Sequence, residues 1–236
     1  MGDDFSIDLN LKNLPSRSTV GKVGGSPHSP GAEKIKKSLG DPLPQLADLK
    51  VYPEALQQAF SYSGILAVIK RKLNAITGEK YSLVPAQGER VCIDEKGQVH
   101  VGLVFLETYL NQPAVLAGVL AHEWGHFPTR SYLPNLDSLS WKEVYRIRRE
   151  EETKADMFAG RALYLLGYPV EPLLHYLKRS ENPREKTEKY HSVESRAHVI
   201  LSSYRSQSAR NEMAGNIKLD NAVYGDPIHL TKLIGS

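Results

Sequence analysis

One segment constrains this chain more than any other: Pro113-Ala114-Val115-Leu116-Ala117-Gly118-Val119-Leu120-Ala121-His122-Glu123-Trp124-Gly125-His126. The run from Pro113 to Leu120 is apolar or small on every side, which predicts a helix buried all round. Pro113 suits the first helical position and Pro128 marks the expected end, so the helix is predicted over 113–127. Residues four apart on a helix lie one above the other, so the imidazoles of His122 and His126 can reach one metal ion. Glu123 stands beside the first ligand, displaced from the ligand positions, where a carboxylate can take a proton from a water that zinc has acidified. Burying two imidazoles and a carboxylate is costly unless a cation compensates them.

A catalytic zinc needs a further protein ligand and leaves one position open. The run Glu150-Glu151-Glu152-Thr153-Lys154-Ala155-Asp156 offers it on a second helix. Three consecutive glutamates ordinarily form a solvated face, and periodicity does not choose among them, because Glu151 also lies near the apolar stripe. Only Glu152 has an aspartate four residues on. Glu152 is therefore the predicted zinc ligand, with Asp156 accepting a hydrogen bond from a ligand histidine and fixing its tautomer. Ala155 and Ala159 are small enough to let two helices approach closely.

Around this pair the chain reads as α+β: a small twisted sheet packed on the His122–His126 helix, followed by a mainly helical C-terminal half. Residues 1–44, rich in Ser, Gly and Pro between Pro15 and Gly31, are expected to be flexible; 45–208 form the folded domain and 209–236 a tail. Helices are predicted over 53–60, 64–76, 106–110, 141–166, 171–179 and 195–208, and strands over 81–84, 90–93 and 98–104. Asp94-Glu95-Lys96-Gly97 reads as a hairpin turn, and 181–189 as a charged loop.

The net charge is +3, with basic residues scattered, so nucleic acid is not an expected partner. No stretch approaches the ~20 apolar residues that cross a bilayer, and the N-terminus lacks the basic start and apolar core of a secretory signal. A cytoplasmic protein is expected; Gly2 with Ser6 is a weak myristoylation pattern. The single cysteine, Cys92, excludes an internal disulfide. It reads as a small core residue, with zinc capping in a latent enzyme as the sharper alternative.

Taken together, the two segments resemble the gluzincin metallopeptidases, and within them the family of HtpX, BepA and the CAAX prenyl endopeptidases. Glu152-Thr153-Lys154-Ala155-Asp156 matches that family's E-x-x-A-D pattern, and Gly167-Tyr168-Pro169-Val170-Glu171-Pro172-Leu173-Leu174 is similar to its Gly-Tyr break and following helix. His191-Ser192-Val193-Glu194-Ser195-Arg196 is similar to a later His-Pro and arginine pair, without the proline and one residue shorter. The resemblance covers roughly Val91 to Leu201. It implies a zinc endopeptidase holding one zinc per chain through His122, His126 and Glu152, with Glu123 as general base and a protein or peptide as substrate. It also implies an upper edge strand, for which 98–104 is the candidate, that pairs with extended substrate. His191 would lie over the zinc, and Arg196 would position substrate or the developing oxyanion. The order H-E-x-x-H then E-x-x-A-D-x-F-A is also similar to the repressor-cleaving ImmA/IrrE proteins. A non-catalytic zinc-stabilised interaction module is the remaining alternative, against which Glu123 argues.

Overall fold

The computed structural model describes residues 43–94, 96–130, 140–180 and 191–213, and it is α+β. A short 3-10 turn at Leu49–Val51 leads into α1 (Glu54–Phe60) and α2 (Ile65–Thr77), then strands β1 (Ser82–Ala86), β2 (Val91–Ile93) and β3 (Gln98–Gly102). Helices α3 (Leu103–Tyr109), α4 (Pro113–Arg130), α5 (Trp141–Leu166), α6 (Glu171–Ser180) and α7 (Val193–Met213) follow. The expectations for 1–42, for the 181–189 loop and for the tail beyond Met213 fall outside the described residues.

The sheet departs from expectation. Its order is β1-β3-β2, with β1 parallel and β2 antiparallel to β3. The segment expected to be an edge strand is therefore the centre, and the edges are β1 and β2. The strand expected over 98–104 also stops at Gly102. There the backbone of the preceding turn lies so close that a Cβ on Gly102 would sit 2.4 Å from the Gly88 carbonyl oxygen. Gly102 N–H donates to Arg90 O (3.0 Å) and Val104 N–H to Gly88 O (3.0 Å), which ends the ladder and starts α3 three residues before the expected helix.

Helix α4 runs to Arg130, so Pro128 does not end it. A proline in a last turn costs one intrahelical bond, which a well-packed helix tolerates. Val115, Leu116, Ala117, Leu120, Ala121 and Trp124 are all buried, as a helix apolar on every side requires. Trp124 lies two residues, or about 200°, round the helix from His122. Its Nε1 donates to Asn74 Oδ1 (3.1 Å) on α2, and that oxygen also accepts from Tyr81 N–H (3.2 Å). This bracket fixes the rotation of α4 and turns the histidines away from α2.

Helix α5 is delimited by local chemistry. Ser140 and Glu143 form a reciprocal capping box at its start. At its end Gly167 adopts φ 75°; Tyr168 N–H reaches Leu163 O and Gly167 N–H reaches Tyr164 O, each 3.0 Å, a complete Schellman motif. The Gly-Tyr break in the sequence is this stop signal. Helix α7 begins at Val193, earlier than expected, because Ser192 Oγ accepts from Ser195 N–H (3.2 Å) as an N-cap; it also extends past 208.

Two glycines let the long helices touch. A Cβ on Gly125 would lie 2.6 Å from Ala155 Cα, and one on Gly160 would lie 2.2 Å from Ile200 O. Thus α4 sits directly on α5, and α5 directly on α7. Gly160→Ala should destabilise the protein by about 1–3 kcal/mol through overpacking, although alanine is the better helix former. Urea unfolding reads this as a lower midpoint; an unchanged or higher midpoint contradicts the packing described.

Candidate metal centre

Where α4 crosses α5, the predicted residues converge. His122 and His126 bring their Nε2 atoms to 3.0 Å, with the rings nearly perpendicular at 88°. The Glu152 carboxylate faces both, its Oε2 at 3.4 Å from His122 Nε2 and its Oε1 at 3.7 Å from His126 Nε2. Donors about 2.0–2.1 Å from a tetrahedral zinc lie about 3.3–3.4 Å apart, and the His122–His126 and His122–Glu152 Oε2 separations lie near that edge. Two imidazoles and one carboxylate are also a donor set suited to zinc. His122, Glu123 and His126 likewise offer ligand atoms within 4.8 Å of one another, so Glu123 adjoins the same point in space.

Glu123 is turned aside by the sheet. Its Oε2 accepts the backbone N–H of Ile93 at 3.0 Å. In β2, Asp94 N–H and Arg90 O bond to β3, and the alternation of an antiparallel pair directs the backbone groups of Val91 and Ile93 to the open side. The edge strand beside the site is thus β2, in place of the expected 98–104. Cys92, buried, alternates to the opposite face from Val91, which lines the cavity at the site. That orientation removes Cys92 from the ligand candidates and makes it a small packed residue.

Buried ion pairs hold the donors in place. His122 Nδ1 lies 2.9 Å from Asp156 Oδ1. Arg196 grips Asp156 with two bonds of 2.9 Å, from Nε to Oδ2 and from Nη2 to Oδ1, and its Nη2 is 3.9 Å from Glu152 Oε2. Arg196 is therefore at the site, but its guanidinium is committed to Asp156. His191 is exposed and forms no part of the cavity wall. It precedes the Ser192 cap, so the turn that carries Arg196 inward leaves His191 outside.

Arg148 was not anticipated. It is buried one turn before Glu152 on α5, and its Nη2 lies 3.0 Å from Glu152 Oε1. The i, i+4 spacing of Arg148 and Glu152 was present in the sequence; only the burial distinguishes it from a surface pair. Arg148 occupies one carboxylate oxygen and leaves Oε2 turned toward His122.

These contacts set the charge states. Burial opposes ionisation of Glu152, but His126, His122 and Arg148 hold its carboxyl well below the usual range. Burial likewise opposes ionisation of Asp156, and His122 and Arg196 outweigh it. For His122, burial favours the neutral ring, yet Asp156 and Glu152 push its pKa up to about 9. The centre thus gathers three carboxylates (Glu123, Glu152, Asp156) and two guanidinium groups (Arg148, Arg196), and it draws in positive charge: a proton on His122, or a cation.

A cavity of about 240 Å³ opens at this point. His122, Glu123, Asp156 and Arg196 form its polar side; Val91, Val119, Leu173, Leu177 and Ile200 form an apolar side.

In chelator-treated protein the His122 ring should stay protonated through neutral pH and titrate near 9, readable by NMR of the ring nitrogens. Because the folded pKa lies above the unfolded 6.5, its contribution to stability is complete below about 6.5 and is lost as pH rises through about 9. A His122 midpoint near 6.5 contradicts the charge assignment.

No family model matches the chain, and neither does any curated protein or solved structure. The geometry of the site alone bears on its chemistry.

Proposed function

We propose that this chain is a zinc-dependent endopeptidase of gluzincin type, with His122, His126 and Glu152 holding one zinc and Glu123 acting as general base. The observation that carries this is the convergence of those three donors, across two helices, at separations suited to a tetrahedral ion. Bound there, zinc supplies Lewis acidity, which acidifies a water and polarises a carbonyl.

The chain's own residues supply the rest. Asp156 holds the His122 ring through Nδ1, leaving Nε2 to face the ion. Arg148 ties down one oxygen of Glu152 and presents the other, and Arg196 anchors Asp156. The Glu123 carboxylate, fixed through Oε2 by Ile93, takes the proton of the attacking water and returns it to the leaving amine. The outward backbone groups of Val91 give β2 the means to pair with an extended peptide beside the Ile93 N–H that holds Glu123. The apolar wall of the cavity beneath accepts a side chain of that peptide. A closed structural zinc site would need neither the cavity nor Glu123.

The test is digestion of casein and of a peptide library by the zinc-loaded protein. Cleavage should be abolished by chelator and restored by zinc. Glu123→Gln should lower turnover by at least about 10²-fold while keeping one zinc per chain, and His122→Ala should lose the metal. Normal cleavage by Glu123→Gln overturns the mechanism.

Arg148→Met should weaken zinc binding by about 10–100-fold, measured by competition with a chromophoric chelator. An unchanged affinity would show that Glu152 needs no such anchor.

A further inference from the structure

Next to the metal centre lies a second cavity of about 210 Å³, lined by Tyr109, Gln112, Pro172, His175, Tyr176 and Arg179. Tyr176 lines both cavities, so they adjoin at its ring. That ring is held edge-on by Tyr109, with centroids 5.2 Å apart and planes at 89°, and by Phe105 at 5.9 Å and 74°. Two edge-to-face contacts, from α3, give the ring little freedom to swing.

The cavities differ in charge. The metal-centre cavity carries the carboxylates of Glu89, Glu123 and Asp156 against Arg90 and Arg196. The second is lined by the guanidinium of Arg179, the imidazole of His175 and the amide of Gln112, with no carboxylate among its lining residues. Arg179 is exposed in the last turn of α6.

We propose that this second cavity is a substrate subsite for an acidic side chain, with Arg179 as its principal cation. The inference rests on the peptidase reading for the nature of the substrate. Alternate residues of an extended strand fall on one face about 6.4–6.8 Å apart. In this reading a peptide with an apolar side chain in the first cavity carries a nearby carboxylate that enters the second, which adjoins the first at Tyr176. Guanidinium and amide donors match a carboxylate's acceptor oxygens, and a lysine there meets like charge.

The test measures binding separately from cleavage. Fluorescein-labelled peptides carrying Glu, Lys or Phe at each position in turn are titrated against zinc-loaded Glu123→Gln protein by fluorescence anisotropy. Wild-type protein is assayed for cleavage of the same set. At one position Glu should bind about five- to tenfold more tightly than Lys, as expected when a partly exposed pair replaces a repulsion. Arg179→Glu should invert that ratio, and added salt should shrink it. Arg179→Glu is an exposed change, and its circular dichroism verifies the fold. A ratio near one at every position, a ratio unmoved by Arg179→Glu, tighter binding of Phe than Glu at that position, or no peptide binding at all overturns the subsite. Binding with the predicted ratio but no cleavage upholds the subsite and removes the hydrolytic reading instead.

Discussion

The approach of two helix backbones at Gly125 and Ala155 is the constraint on which the site depends. Any side chain at Gly125 would collide with Ala155 Cα, and the helices would part by the width of that side chain. His122 stands three residues before Gly125 and His126 directly after it on α4, and Glu152 and Asp156 hold the same two offsets from Ala155 on α5. Their cross-helix separations of 2.9 to 3.7 Å depend on the absence of a Cβ at Gly125. The same device recurs at Gly160 against the backbone of Ile200, and it brings Arg196 of α7 within reach of Asp156. Close packing here is a means of concentrating charge.

That concentration sets the chemistry. A buried carboxylate with no partner is strongly unfavourable, and this crossing buries several. Arg148 and Arg196 offset part of the charge, and the raised pKa of His122 shows how the metal-free site draws in a proton to offset more. A divalent cation satisfies the same deficit and uses both imidazole lone pairs, which at 3.0 Å a single shared proton satisfies less fully. The sheet contributes the last element: β2 fixes Glu123 through a backbone N–H and offers its open edge alongside.

Much of the centre was legible in the sequence because helical spacing is a rigid ruler. A spacing of four from His122 to His126, and of four from Glu152 to Asp156, fixes which side chains share a face before any tertiary structure is known. The long-range pairing of α4 with α5 was legible only through its small residues. Sheet order was not legible: a hairpin between β2 and β3 leaves β1 free to join either edge, and its parallel pairing with β3 made the expected edge strand the centre. The end of β3 was hidden for a related reason, since it is set by the 88–90 turn folding back on Gly102. His191 and Arg196 divide at the Ser192 cap, a local event that the spacing of the two residues does not encode. Arg148 is not legible in the sequence because an arginine four residues before a glutamate is usually a surface pair; here the crossing buries it.

The central claim is that two imidazoles and the Glu152 carboxylate hold one zinc at the α4–α5 crossing. X-ray absorption at the zinc edge, on protein reconstituted with one equivalent, tests it most directly. The account predicts a four-coordinate shell of nitrogen and oxygen at about 2.0–2.1 Å, with two imidazole signatures, one of which disappears in His126→Ala. A shell containing sulfur at about 2.3 Å, or a spectrum that His126→Ala leaves unchanged, contradicts it.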